Sequence, residues 1–404
     1  MIYMSDNATT KKRGKRGEGS IYKNADGTWT AKFNQKGYER KEWTRRTKAA
    51  AKAELDAYKE LVRSGNLISL SLTFDEYAKK FLKFKEAQVN RGRLKNTSFD
   101  SIEKNYINHF LGTPFGKIKL RDLTSEDIQR FIDEKSENYS LSTIMKFYWF
   151  IHSLIDYAVK VKDLPKTFDP FENVEPPNES ALKVKTKEIQ IMTSSQLKAF
   201  KEVAMEIDST GNYCYRYGPA LVLMANIGVR QGELVAISKN NIKRDGNGRM
   251  TLYIDSTISR VIDRDEAAPT KYKKIITDPK YKNSIRTLPL NKEAEFCIKE
   301  MIGLYPENKF SSDLLISTKN GNPPTVRNIQ TTLDRILKRA GMPHVGTHAL
   351  RHTFATELLK GATSLAQLKD AAELMGEDYH VMVKTYLHTD HTTKFELMDK
   401  LVTS

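Results

Sequence analysis

The feature that most constrains the fold is an aperiodic stretch, residues 161–187, between two regions rich in helical patterns. It contains four prolines: Pro165, Pro170, Pro176 and Pro177. Each proline favours extended backbone in the residue before it, so a continuous helix does not cross this stretch. Because 404 residues also exceed one ordinary core, we predict separate domains joined by a linker over residues 166–190.

The N-terminal region carries a strand pattern. Apolar Trp29, Ala31 and Phe33 alternate with polar residues, which is the period of a half-buried strand, and glycine-containing turns bracket them. We predict a small β-sheet-plus-helix domain over 19–66, preceded by a flexible basic arm at 1–18. Its predicted elements are three strands and one covering helix, at 20–22, 28–33, 38–43 and 47–62.

The next region, residues 70–165, reads as an all-α domain. Thr73 and Glu76 form a capping box, the signature of a helix start. Aromatic residues then follow at helical spacing: Phe74, Tyr77, Phe81 and Phe84. Three more helices are predicted near 102–110, 124–131 and 144–157. Stripes of this kind usually form a core, so we interpret them as structural.

The last region, residues 191–404, is predicted to be a mixed, mainly α-helical domain with a small antiparallel sheet. Thr193 caps its first helix, and strand-like segments occur at 250–262 and 284–290. Near the C-terminus, apolar residues at helical spacing predict a tail helix that packs on its own domain or on a neighbouring protomer. These residues are Phe395, Met398 and Leu401.

Charge indicates a polyanionic partner. The net charge is +16, and the first 66 residues hold sixteen Lys or Arg against eight Asp or Glu. Clustered cations gain free energy by releasing counterions from nucleic acid, so DNA or RNA binding is predicted. Candidate contacts on the face of the sheet that the helix leaves uncovered, and on its rim, are Lys32, Lys41, Arg45 and Arg46. A second cluster, equally consistent with a solvated loop, comprises Arg91, Arg93 and Lys95.

Composition argues against other classes of protein. The sequence has no run of eighteen apolar residues and no apolar segment behind Met4, so neither a membrane span nor a secretory signal is predicted. The two cysteines, Cys214 and Cys297, have no partner spacing and are read as free thiols in a reducing cytoplasm.

Three short strings in the last region carry side chains suited to phosphate chemistry. In G-V-R-Q-G-E-L, Arg230 lies on a glycine-flanked turn where Glu233 can hold it. In H-A-L-R-H, His348 and Arg351 share one face of a helix. In T-Y-L-H, Tyr386 is a packing residue when taken alone, and a candidate nucleophile beside the other two strings.

A metal site is the alternative interpretation of the histidines. His348 and His352 are four residues apart, a spacing that can bind a metal, and His344 offers a third ligand. However, Pro343 and Gly346 indicate that the helix begins after His344, and no H-E-x-x-H string is present. We therefore predict no metal and no cofactor.

The order of the three strings resembles the tyrosine recombinase family, which includes phage integrases and the integrases of conjugative transposons. The resemblance covers most of the chain, and implies an arm-binding sheet domain, a helical core-binding domain and a catalytic domain. It further implies that Arg230, His348 and Arg351 surround the scissile phosphate, and that Tyr386 attacks it.

The family also uses a lysine on a β-hairpin to protonate the leaving oxygen. The string D-P-K-Y-K-N-S-I-R-T-L-P-L resembles that hairpin. Lys280 is the first candidate for this general acid and Lys282 the second, since the length of the turn is ambiguous. A solvated basic turn is the competing interpretation.

One position departs from the family pattern. The family usually has His or Trp after the glycine of its L-G-H string, whereas this chain reads L-M-G-E and places Glu377 there. A carboxylate beside a phosphate is repelled unless it pairs with a cation or takes up a proton. The candidates for this sixth catalytic position are therefore Glu377 and His380, which lies one turn further along.

The resemblance implies a reaction and its partners. Tyr386 would form a 3′-phosphotyrosyl bond and release a 5′-hydroxyl, without metal or ATP. The implied partner is double-stranded DNA with core and arm sites, bound by a homotetramer that works with an accessory excisionase or DNA-bending protein. The implied role is integration and excision of a mobile element at the nucleoid of a bacterial cytoplasm. A type IB topoisomerase and a catalytically silent DNA-binding regulator are the rival readings.

Overall fold

The computed structural model describes most of the chain: residues 19–35, 38–63, 72–179, 182–184, 190–279, 282–362 and 364–386. The chain divides into two compact units, residues 1–187 and 188–404. This division falls inside the predicted linker. Of the helices so described, none combines the length and the apolar character that crossing a bilayer demands. The predicted basic arm, residues 1–18, lies outside the described residues.

The first unit begins with an antiparallel sheet of order β1-β2-β3 followed by a helix. Its elements are β1 (Ser20–Lys23), β2 (Trp29–Phe33), β3 (Lys41–Arg45) and α1 (Lys48–Arg63). Ala31 and Phe33 pack against Ala51 and Leu55 of the helix. The third strand starts at Lys41, three residues later than predicted, and Tyr38 packs edge-on against Phe33 with ring centroids 6.5 Å apart.

Four further helices form a separate aromatic core in this unit. They are α2 (Phe74–Asn90), α3 (Asn96–His109), α4 (Ser125–Ser136) and α5 (Leu141–Lys160). The capping box of Thr73 and Glu76 is present at the start of α2. Phe74, Tyr77 and Phe81 are buried, so the aromatic stripe belongs to the core. The segment that follows α5 also contributes to this core, through Val174 and Leu182.

The second unit is built around one buried helix, α7. Its α-helices, within the residues that the structure describes, are α6 (Ser194–Ala204), α7 (Gly218–Ile227), α8 (Gln231–Leu234), α9 (Lys292–Met301), α10 (Val326–Arg339), α11 (Thr347–Lys360), α12 (Leu365–Met375) and α13 (Tyr379–Tyr386). Every residue of α7 is buried, as its apolar sequence G-P-A-L-V-L-M-A-N-I requires. Helices α6, α9, α10 and α11 pack around it.

Small antiparallel sheets accompany these helices in the described part of the unit. Their strands are β4 (Ile242–Arg244), β5 (Met250–Ile254), β6 (Thr257–Ile262), β7 (Tyr272–Thr277) and β8 (Arg286–Pro289). One sheet has the order β4-β5-β8 and the other is a β6-β7 hairpin. The single strand predicted over 250–262 is therefore two strands in different sheets. The chain leaves strand conformation at Asp255 and Ser256, after which β6 pairs with β7.

Candidate active site

A left-handed glycine turn positions Arg230. Gly228 ends α7 with φ of 64°, and Arg230 caps the start of α8. A Cβ on Gly228 would lie 2.3 Å from the ring of Phe354, so both the backbone angle and the close packing require glycine. The turn therefore places Arg230 at the start of α8, with its side chain 28% exposed.

Glu233 holds this turn together from inside. Its side chain is 2% exposed, and its carboxylate accepts hydrogen bonds from the Arg230 backbone N–H at 3.0 Å and from Arg230 Nη1 at 2.9 Å. It also accepts one from Arg286 Nη2 at 3.0 Å, and that guanidinium is equally buried. The predicted contact between Glu233 and Arg230 is present, and a second arginine shares the carboxylate.

This arrangement lowers the pKa of Glu233. Burial alone would raise the pKa of the carboxyl group, but Arg286, with help from Arg230, holds it below the ordinary glutamate value. A carboxylate with a lowered folded-state pKa stabilises the fold above the ordinary glutamate pKa. That contribution is lost as the pH falls through the folded-state pKa.

We expect Glu233→Gln to lower the free energy of unfolding at neutral pH by about 3–5 kcal/mol, because it leaves a buried arginine without its counter-charge. Urea denaturation followed by circular dichroism measures this. Glu293→Gln is the matched control, since Glu293 pairs with Lys201 at the surface and its loss costs about 1 kcal/mol or less. The difference between E233Q and wild type shrinks at acid pH. Equal losses in the two variants would contradict the assignment.

Arg351 is the most deeply placed cation of the site. It lies on α11 and is 1% exposed. Nη1 donates to the Gly228 carbonyl at 2.5 Å, and Nη2 donates to the Met375 carbonyl at 2.7 Å. Burial and the neighbouring Arg230 lower the pKa of Arg351, while Glu377 opposes that shift. The fork is thus fixed by backbone acceptors at the ends of α7 and α12.

Glu377 joins the two arginines. Its Oε1 atom accepts hydrogen bonds from Arg351 Nη2 at 2.7 Å and from Arg230 Nη2 at 3.4 Å. The Arg230 side chain remains 28% exposed and that of Glu377 17%, so this side of the pair is accessible to solvent. Glu377, which was predicted to need a cation as partner, therefore pairs with two, Arg351 and Arg230.

His348 lies one helical turn from Arg351 and keeps exposed surface. Partial burial, followed by the charges of Arg351 and Arg230, lowers the pKa of His348 below its ordinary value. This shift favours the neutral imidazole, the form that is able to accept a proton. The rings of His348 and His352 are 6.1 Å apart. Among the described residues, no cluster of three His, Cys, Asp or Glu side chains is arranged to hold a metal.

The remaining predicted site residues are only partly described. Lys280 lies outside the described residues. Lys282 begins a short 3₁₀ turn that ends at Ser284, and Tyr386 is the last residue of α13; the side chains of both lie outside the described part. His380 is exposed on α13, with its ring 5.5 Å from that of Tyr379.

The predicted cations of the first unit lie at the surface, and those within the strands pair with glutamates. On the sheet, Lys32 pairs with a glutamate at 2.9 Å, Lys41 at 2.8 Å and Arg45 at 2.6 Å. Arg46 is exposed. The prediction that the sheet cations lie on the uncovered face holds for Lys32 but is wrong for Lys41 and Arg45, because the strand register places them opposite Phe33 and Trp29, on the helix-covered side. The loop cations between α2 and α3 are also exposed: Arg91, Arg93 and Lys95.

Sequence reasoning missed two residues that build the site. Ser284 is fully buried, accepts from Arg230 Nη1 at 3.2 Å and donates to the Gly376 carbonyl at 3.3 Å. Arg286 donates to the Leu374 carbonyl at 2.7 Å and binds Glu233. A signal existed, because Arg286 alternates with Leu288 in β8 and so shares its buried face.

A basic groove of about 1060 Å³ adjoins the Arg230 turn. Its lining includes Gln231 and Gly232, next in sequence to Arg230. Five cations also line it: Arg260, Lys271, Lys273, Lys274 and Arg327. The sequence reasoning did not single out this groove, since its walls come from β6, β7 and the start of α10, which are distant in sequence.

The arrangement can bind an anion without a metal. Two guanidinium groups already converge on one carboxylate oxygen, and a phosphate oxygen accepts the same fork. A neutral imidazole one turn away can take part in proton transfer. These groups suit chemistry at a phosphodiester.

Comparison with known proteins agrees with this chemistry. The phage integrase family matches residues 190–393, half of the chain. The XerC-like tyrosine recombinase of Caldanaerobacter subterraneus is 27% identical over 375 residues, which are 90% of this chain and 91% of that protein. The integrase of Staphylococcus phage L54a is 24% identical over 353 residues, 82% of this chain and 93% of that protein.

Solved structures share the fold. The Tn1549 transposon integrase in complex with a circular intermediate DNA has a TM-score of 0.64 at 17% identity, covering 82% of this chain and all of that one. A lambda integrase dimer bound to a core site has a TM-score of 0.53 at 15% identity, covering 94% of this chain and 97% of that one. The chain therefore belongs to the phage integrase family, the tyrosine recombinases that cut and rejoin DNA at specific sites.

Proposed function

We propose that this recombinase integrates and excises a mobile genetic element, and that Arg230 and Arg351 bind the scissile phosphate. The observation that carries the assignment of the arginines is their convergence on a single carboxylate oxygen, at 3.4 and 2.7 Å. The names of a phage integrase and a transposon integrase among the similar proteins support the mobile element. They also support action on DNA, and we further propose that the protein acts at the nucleoid, in a bacterial cytoplasm.

In this proposal Tyr386 attacks the phosphate and forms a 3′-phosphotyrosyl bond. Lys280, or Lys282 in its place, protonates the leaving 5′ oxygen, and His348 takes part in proton transfer at the nucleophile. The lowered pKa of His348 supports that role, because a neutral ring accepts the tyrosine proton. The bond energy is kept in the phosphotyrosine, so rejoining needs no ATP.

The proposed domain roles follow the family. Residues 19–66, behind the arm at 1–18, bind arm sites, residues 70–165 bind the core site, and 191–404 carry out catalysis after a linker at 166–190. The exposed sheet and loop cations support DNA contacts in the first two. We further propose a homotetramer on DNA, with the tail helix exchanged between protomers, and an accessory excisionase or DNA-bending protein.

The basic groove is the proposed path of the DNA backbone beside the cleavage site. We expect Lys271→Ala combined with Arg327→Ala to weaken DNA binding about tenfold and to reduce the salt dependence by about one to two ions. Titrations at several salt concentrations measure both effects. The control removes two exposed cations of α9, Lys292→Ala with Lys299→Ala. Equal losses for both pairs would mean that net charge, and not the groove, determines affinity.

A nicked suicide substrate carrying the end of the element tests the proposal. Incubated with the full chain in EDTA, it is expected to yield a denaturation-resistant complex whose modified peptide contains Tyr386. Plasmid relaxation without strand exchange would instead indicate a topoisomerase. Failure to form the complex on DNA that the protein demonstrably binds would indicate a silent DNA-binding regulator.

A further inference from the structure

We propose that the Glu377 carboxylate occupies the phosphate position of the arginine pair in the DNA-free protein, so that the scissile phosphate displaces it before cleavage. This inference rests on the proposed function, since it takes Arg230 and Arg351 as the phosphate-binding residues. Glu377 would then act as an internal competitor, because its carboxylate binds the arginines that the DNA phosphate must bind.

The Glu377 carboxylate is bound by the arginines in the way that a phosphate would be. One carboxylate oxygen accepts from Nη2 of both guanidinium groups, at 2.7 Å from Arg351 and 3.4 Å from Arg230. A non-bridging phosphate oxygen uses the same donors in the same way. The oxygen of Glu377 and an oxygen of DNA therefore compete for one place.

Charge makes the two occupants exclusive. Glu233 is shared between Arg286 at 3.0 Å and Arg230 at 2.9 Å, so the charge of Glu377 is the one that lies between Arg230 and Arg351. A phosphodiester already brings one negative charge, and the transition state for its cleavage develops more. With the carboxylate still in place, the added anion would lie against a like charge.

The fold lets the carboxylate leave without disturbing the arginines. The Glu377 side chain is 17% exposed, against 2% for Glu233, so only Glu377 has a route to solvent. Its backbone N–H is held by the Ala372 carbonyl at 3.1 Å, so rotation of the side chain suffices. Arg351 then keeps its bonds to the carbonyls of Gly228 and Met375.

The consequence is selection for duplex DNA over small anions. A free phosphate contacts only the arginine pair, so only that contact can offset the free energy needed to displace Glu377. A DNA segment makes many other backbone contacts, and their free energy drives the exchange. The site thus opens only when DNA is already bound.

Glu377→Gln tests this, because it keeps the shape and removes the charge. At saturating suicide substrate we expect E377Q to form the covalent complex about tenfold faster than wild type, which corresponds to ~1.4 kcal/mol. We also expect inorganic phosphate to raise the melting temperature of E377Q more than that of wild type. Glu373→Gln, at an exposed glutamate in the last turn of α12, is the control for net charge and is expected to change neither.

An E377Q variant that melts like wild type, binds phosphate no better and cleaves no faster would overturn the proposal. If E377Q does not fold, Glu377→Ser replaces it. Wild-type protein that binds inorganic phosphate at the arginine pair as tightly as the neutral variant also overturns it. If neither wild type nor E377Q forms a covalent complex, the proposed function fails, and the phosphate titration still decides the present inference. If wild type cleaves and E377Q is no faster, only the inference fails.

Discussion

Tyr386→Phe is expected to abolish the covalent complex, reducing cleavage by about 10⁴-fold or more, while DNA affinity stays within about twofold. The change removes a single oxygen, the atom that we propose becomes bonded to phosphorus, and leaves the ring in place. Gel separation of denatured protein–DNA adducts measures the first quantity and a binding titration the second.

Tyr379→Phe provides the control for this change. Tyr379 begins the same helix, α13, and packs in the small cluster formed with α11 and α12. It loses the same oxygen, and we expect cleavage within about threefold of wild type. A Y386F protein that still forms adducts would refute the nucleophile assignment, and mapping of the adduct would identify the true residue.

Arg351→Lys is expected to cost both activity and stability. Lysine keeps the charge but has no fork, so it cannot serve the phosphate and the two backbone carbonyls together. We expect the rate of cleavage to fall about 10²–10³-fold, the usual effect of removing a hydrogen-bond donor that stabilises negative charge in the transition state. Arg351 is buried and donates hydrogen bonds to the Gly228 and Met375 carbonyls and to Glu377, so we expect the free energy of unfolding to fall by about 2–4 kcal/mol.

Two measurements separate these effects. Cleavage assays well below the melting temperature of R351K report chemistry on folded protein, and urea denaturation reports stability. Arg335→Lys makes the same chemical change at an exposed position on α10, beside Tyr215, and is expected to change both quantities little. A stable R351K protein with wild-type cleavage would remove Arg351 from the site.

Local pattern was enough to predict much of the fold. The capping box at Thr73 and the aromatic spacing after it depend on neighbours within one helix, and the structure has both. The glycine-flanked turn likewise predicts that Glu233 holds Arg230, which a 2.9 Å hydrogen bond confirms. Interactions between residues three or four apart are visible in the sequence because helix geometry fixes them.

Long-range pairing was not visible. Arg286 reaches Glu233 across 53 residues, and Ser284 reaches Gly376 across 92; no periodicity encodes either contact. The segment 250–262, predicted as one strand, forms two strands because β5 pairs with β8 and β6 pairs with β7. Which strands pair is decided by the packed domain, and not by the alternation within one segment.

The two carbonyl bonds of Arg351 have a consequence for inactive relatives. They tie the C-terminal end of α7 to that of α12, where partial negative charges of the helices accumulate. A descendant that had lost recombination would still need this cation to keep the two helices together. Retention of Arg351 is therefore weak evidence of activity. Arg230, whose side chain is 28% exposed against 2% for Arg351, is less tightly packed, and loss of activity is expected to appear there earlier than at Arg351.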